Sequence, residues 1–126
     1  MPRIMLLTAS LSALLLSACS SSIQPSPMPQ AGNQQSTWVA KDLGLKQCEQ
    51  GSAQDALNST QQILKQHQIK ISSAHCADDG MMRVQVCGAP QGKLGLYKIK
   101  QAQLGKAQSL GFQQVQARQY QQVECA

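Results

Sequence analysis

The clearest periodic stretch of the chain runs from Ser52 to His67. Ala53, Ala56, Leu57, Thr60, Ile63, Leu64 and His67 recur at spacings of three and four, which puts them on one helical face. Gln54, Asn58, Ser59, Gln61, Gln62, Lys65 and Gln66 fill the opposite face. Ser52 suits an N-cap, and Asp55 stands three residues on, the capping-box spacing with Asp in the usual Glu place. His67 closes the stripe, where an imidazole interacts favourably with the helix C-terminus. The period then changes from 3.6 to two. Ile69-Lys70-Ile71 predicts a strand running toward His75 and Cys76. Asp79-Gly80 is a strong hairpin signal, and Met82, Val84 and Val86 alternate with Arg83, Gln85 and Cys87 on the expected return strand. A second turn over 88–92 leads to a third strand through Leu94, Leu96 and Tyr97 to Ile99, completing a three-stranded meander.

Weaker patterns flank this centre. Trp38-Val39-Ala40 reads as a short strand, followed by Leu43 and Leu45 on one side of the chain. Lys100 to Leu110 predicts a shorter helix, with Ala102, Gln103, Ala107 and Leu110 on its stripe and Gly111 as its C′ stop. Gly105 inside it costs about 1 kcal/mol. Phe112 to Val115 begins a last strand. Gln119, Gln121 and Gln122 then blur the pattern until Val123 and Cys125 restore it. The expected fold is a small α+β domain over 38–126, with two helices on one face of an antiparallel sheet of three to five short strands. The order of elements resembles ferredoxin-like modules, among them the small sporulation-related peptidoglycan-binding domain. That likeness rests on topology and shares no motif.

The N-terminus is of another kind. Arg3 precedes an uncharged apolar run from Ile4 to Leu16, the make-up of an export signal. It is shorter than the ~20 apolar residues a membrane-spanning helix needs. Leu16-Ser17-Ala18-Cys19 closes it. This tetrapeptide resembles the lipobox of bacterial lipoproteins: Leu at −3, small residues at −2 and −1, Cys at +1. The resemblance implies that 1–18 is a signal peptide, cut off before Cys19, and that Cys19 carries a diacylglycerol and often a further acyl chain such as palmitate. One chain anchors marginally and two hold firmly. In Gram-negative members an Asp after the cysteine favours inner-membrane retention. Ser20 stands there, which implies outer-membrane sorting with the domain facing the periplasm. Residues 19–37, with Ser20-Ser21-Ser22, Pro25, Pro27, Pro29 and Gly32, bury too little apolar surface to fold and read as a tether.

Composition changes this picture in two places. The aromatics are Trp38, Tyr97, Phe112 and Tyr120 alone, so the core lacks the residues that bury most area. Cysteines compensate. With Cys19 taken by lipid, Cys48, Cys76, Cys87 and Cys125 form an even set in an exported chain, which reads as two disulfides of about 2–4 kcal/mol each. Three pairings are open. Cys76–Cys87 would staple the Asp-Gly hairpin and leave Cys48–Cys125 to tie the ends, and this is the expected set. Cys48–Cys76 with Cys87–Cys125 is the next, and Cys48–Cys87 with Cys76–Cys125 the last. Without Arg3 the chain carries ten Lys and Arg against six Asp and Glu. The bases are dispersed and few aromatics accompany them, so no nucleic-acid partner is expected. Gln, with twenty-two of 126 positions, supplies solubility without charge.

No constellation argues for catalysis. There is no Cys-x-x-Cys, no zinc-ligand spacing and no Gly-x-Ser-x-Gly elbow. Asp78 and Asp79 are explained by the turn they open, and no cofactor or metal is expected. Met82 beside Val84 is expected to pack in the core. Exposed Met also adapts to partner surfaces, which makes Asp78, Asp79, Met81 and Met82 a candidate binding loop. The expected function is a non-enzymatic, membrane-anchored module. It would bind an envelope protein or a glycan such as peptidoglycan. Inhibition or regulation of an envelope hydrolase is the alternative.

Overall fold

The computed structural model describes residues 35–126. The expected export signal, Cys19 and most of the expected tether lie outside the described residues. The elements are β1 (Ser36–Asp42), α1 (Ala53–Gln66), β2 (Ile71–Asp78), β3 (Lys93–Lys100), a 3₁₀ turn (Gln101–Gln103), α2 (Leu104–Ser109), β4 (Gln113–Val115) and β5 (Gln121–Val123). They build one five-stranded antiparallel sheet in the order β4-β1-β3-β2-β5, with two disulfides. With β3 between β1 and β2, the first four strands and two helices have the split β-α-β order of ferredoxin-like modules, and β5 is added beyond β2. The first strand starts at Ser36, two residues before Trp38.

α1 forms where its apolar period and its cap coincide. The Ser52 hydroxyl accepts the Asp55 N–H at 3.0 Å and donates to the Asp55 carboxylate at 2.8 Å. Its stripe of Ala53, Leu57, Thr60 and Leu64 is buried against the sheet. There it meets Val39 of β1, Cys76 of β2, and Tyr97 and Ile99 of β3. Tyr97 is fully buried, and its hydroxyl donates to the Leu57 carbonyl at 3.0 Å. Its ring meets Phe112 edge-on at 5.7 Å. The short α2 ends at Gly111, whose φ of +85° makes the turn into β4. Lys41 reaches that end: its ammonium donates to the carbonyls of Leu110 (3.4 Å) and Gly111 (3.5 Å) and lies 5.3 Å from the Phe112 ring centre.

The face away from the helices is not open. Ala40, Ala77, Leu96 and Val115 are buried there, with Trp38, Leu94 and Tyr120 packed on them. Residues Gln116–Tyr120 carry the chain from β4 at one edge to β5 at the other. In a flat sheet those edges would stand about 19 Å apart. The linker includes a turn closed by Gln119 N–H to Gln116 O at 2.9 Å, so its reach is short. The sheet must therefore curl, and its outer strands close in over Leu96, which is fully buried. Both apolar clusters and the four paired cysteines lie within 35–126, so this segment carries its own core and cross-links.

Two expectations are overturned. The expected return strand over Met82–Val86 does not form. β2 is already paired on one side by β3 along its length and on the other by β5 at Cys76–Asp78. A hairpin partner arriving straight after Asp79-Gly80 finds no free edge. The preferred cysteine pairing falls with it. β5 brings Cys125 to Cys76, and Cys87 pairs instead with Cys48, so the third of the three pairings is the one present.

Candidate functional site

The segment left without a strand partner is the most distinctive surface of the domain. Its flanks are firmly placed. Backbone bonds zip residues 88–93 to 43–47: Leu43 N–H to Lys93 O (2.9 Å), Gln91 N–H to Leu45 O (2.8 Å), Gln47 N–H to Ala89 O (2.9 Å) and Gly88 N–H to Gln47 O (2.9 Å). The Cys48–Cys87 disulfide fastens the end of this ladder, with both residues exposed. At the other flank the Asp79 N–H donates to Gly92 O at 3.1 Å.

Between these anchors the two acidic residues are spent on the loop itself. The Asp78 carboxylate accepts the Gly80 N–H at 2.9 Å and pairs with Lys93 Nζ at 3.1 Å. Those contacts, the Gly80 amide first and Lys93 second, hold its pKa below the ordinary value of 3.8. The Asp79 carboxylate accepts the Met81 N–H at 3.0 Å and forms an ion pair with Arg83. Gly92 sits against this pair with φ +75°. That left-handed conformation favours glycine, and a Cβ would press on Arg83 Nε (2.6 Å) and Asp79 Oδ1 (2.7 Å). Asp78 and Asp79 thus shape the loop and do not present themselves from it.

What the loop presents is apolar. Met81 is 67% exposed, Met82 101%, Val84 70% and Val86 55%. The expectation of Met82 in the core is therefore corrected: without a return strand its alternation has no face to bury. Of the four residues of the expected binding loop, the two methionines point outward and the two aspartates are internal struts. Val84 and Val86 are the members whose alternation predicts a place in the sheet. Their distinguishing signal is the competition for the β2 edge, and the glutamine-rich pattern of β5 conceals it. Four large apolar side chains on one pinned segment exceed the scattered single exposures normal for a surface.

The remaining polar groups converge less. His75 is exposed and its ring lies 5.7 Å from that of Trp38 on the outer sheet face. His67 caps α1. A recess of about 270 Å³ between β1, β3 and Tyr120 includes Lys41 and Asp42. Lys41 is engaged by the end of α2, and the Asp42 carboxylate accepts the Gly44 N–H at 2.6 Å. Neither histidine lines it. Among the described residues no three His, Cys, Asp or Glu side chains converge as metal ligands, and no helix is long and apolar enough to cross a membrane.

The fold and this surface define a small, disulfide-stapled α+β domain that displays an apolar loop. No protein-family model, no curated protein and no solved structure matches the chain.

Proposed function

We propose that this chain is a lipid-anchored, non-enzymatic binding module of the bacterial envelope. Its 80–87 segment contacts a partner protein in the periplasm. The observation that carries the reading is the display of Met81, Met82, Val84 and Val86 on a segment fixed at both ends. Fixing a loop before binding removes part of the ordering cost of association. Four apolar side chains favour a protein surface over a glycan, whose hydroxyls they would leave without partners. The lipobox resemblance at Leu16-Ser17-Ala18-Cys19 supplies the address, with the acylated Cys19 in the outer membrane and the domain facing the periplasm.

A photo-crosslinking residue placed at Met82 or Val84 in cells is expected to give a discrete protein adduct, and the same residue at Asn58 on the exposed side of α1 is expected to give none. Equal adducts at all three positions would remove the loop from the account. For the anchor, Cys19→Ala is expected to abolish acyl labelling, and normal labelling would overturn it.

The same pinned segment favours a second reading, inhibition of an envelope hydrolase by insertion of Met82 into its cleft. In that case Met81→Ala with Met82→Ala weakens inhibition strongly. An unchanged inhibition constant would exclude it.

A further inference from the structure

We propose that the end of the sheet at which the chain enters the domain is a docking surface for an anionic lipid bilayer. Register fixes which residues meet there: Ser36 of β1 stands opposite Lys100 of β3, Trp38 opposite Lys98, and Ile71 of β2 opposite Ile99. Lys70, Lys98 and Lys100 line one recess of about 370 Å³ with the hydroxyls of Ser36 and Ser72. Lys65, in the last turn of α1, shares the adjoining recess with Lys70. Lys106 reaches the same end, donating to the His67 carbonyl at 3.2 Å.

The acidic residues are elsewhere. Asp42 and Asp78 close the opposite ends of β1 and β2, Asp55 opens α1 at that opposite end, and Glu49 and Asp79 lie in its loops. Glu124 follows β5 near the middle of the sheet's edge. The ion pairs among the described residues, Lys46–Glu49, Lys93–Asp78 and Arg83–Asp79, all belong to the far end. β1 separates the two ends by about 20 Å, more than two Debye lengths at physiological salt. The far carboxylates therefore do little to neutralise the five lysines.

Along the chain the positive charge is dispersed. The fold gathers half of the ten basic residues that follow the export signal on one end. That is also the end where the preceding chain is covalently attached: the Gln35 carbonyl accepts the Gln101 N–H at 2.7 Å. A membrane-attached chain thus keeps this end nearest its point of attachment. Lysines near an anionic leaflet each strengthen partitioning by about fivefold, and serine hydroxyls beside them can donate to headgroup phosphate oxygens. The inference deepens the anchored reading by naming the surface that meets the lipid. Its test uses no acyl chain, so the two can fail separately.

The test is sedimentation of the 35–126 domain with vesicles of phosphatidylcholine alone or with about one-third phosphatidylglycerol. Trp38, the single tryptophan, serves as reporter through quenching by brominated anionic lipid. Binding is expected on the anionic vesicles only and is expected to weaken with salt. Lys70→Gln with Lys98→Gln and Lys100→Gln should lower it by about a hundredfold, and Lys100→Gln alone by about fivefold. Lys46→Gln, at the far end, should leave it unchanged. Equal binding to both vesicle types, no binding to either, or an equal loss in Lys46→Gln would overturn the proposal. So would tighter binding to a DNA duplex than to the vesicles. The single Lys100→Gln variant keeps the test decisive if the triple variant fails to fold.

Discussion

The two disulfides close loops of similar size, 39 residues for Cys48–Cys87 and 49 for Cys76–Cys125. Chain entropy alone would give each about 4 kcal/mol. Their settings differ in every other respect. Cys76 is 1% exposed within the main core, and its partner fastens the C-terminal segment against β2. Cys48 and Cys87 are both exposed, and Cys48 holds a φ of +65°. That φ belongs to the turn closed by Glu49 N–H to Lys46 O at 3.3 Å. One bridge therefore reinforces the fold. The other lies on the surface, where it fastens the end of the ladder between 43–47 and 88–93 and so holds a loop in place. Loop length says how much a bridge can contribute, and its surroundings say to what.

The largest effect that separates the two is global stability. Replacing Cys76 and Cys125 by Ala is expected to lower the unfolding free energy by about 5 kcal/mol, because core packing is lost on top of loop entropy. Urea titration measures it. Replacing Cys48 and Cys87 by Ser is expected to cost less, about 3 kcal/mol, since an exposed bridge loses loop entropy without core packing and the 43–47 ladder still holds the loop's ends. Equal losses in the two variants would break the comparison.

Acid acts on the loop side through Asp78. The Gly80 amide and Lys93 hold the Asp78 carboxyl below 3.8 in the folded protein. A lowered folded-state pKa gives stability that is present above the unfolded value and lost as pH falls through the folded one. The melting temperature is therefore expected to fall below about pH 3.8, and Asp78→Asn is expected to flatten that part of the profile. An unaltered acid limb in Asp78→Asn would show that the carboxylate does not brace the loop. The smallest effect sharpens the comparison from the other direction. Met82→Ser is expected to change stability by no more than about 0.5 kcal/mol, because a fully exposed side chain has no packing to lose. A loss above 1 kcal/mol would place Met82 in a contact that its exposure excludes.

The same division marks what could be read from the sequence. α1 was legible to the residue at its N-terminus, because Ser52, Asp55 and the apolar stripe all point to one structure. β3 and the stop at Gly111 were equally plain. The α+β class follows from these elements alone. Pairing was not legible, since it depends on competition between segments far apart in the chain. Met82, Val84 and Val86 carry a better strand pattern than Gln121, Gln122 and Val123, yet the latter take the outer edge of β2. The weak strand is held there by the Cys76–Cys125 bridge, buried at Cys76, and by the Tyr120 contacts on the outer face. The stronger pattern is left displayed in a loop. Of the site, the methionines were legible as residues that adapt to partners. Their exposure followed only from the lost strand. The gathering of Lys65, Lys70, Lys98, Lys100 and Lys106 at one end was likewise invisible along the chain. These residues are brought together by the register of β1, β2 and β3.

That one bridge holds the fold and the other holds the displayed loop is tested by graded reduction of the native protein, followed by alkylation and mass spectrometry. Exposed disulfides are the labile ones. Cys48 and Cys87 are expected to be labelled first, while near-native circular dichroism persists, and Cys76 and Cys125 only as the protein unfolds. Labelling of all four together, or of Cys76 and Cys125 first, would contradict the account.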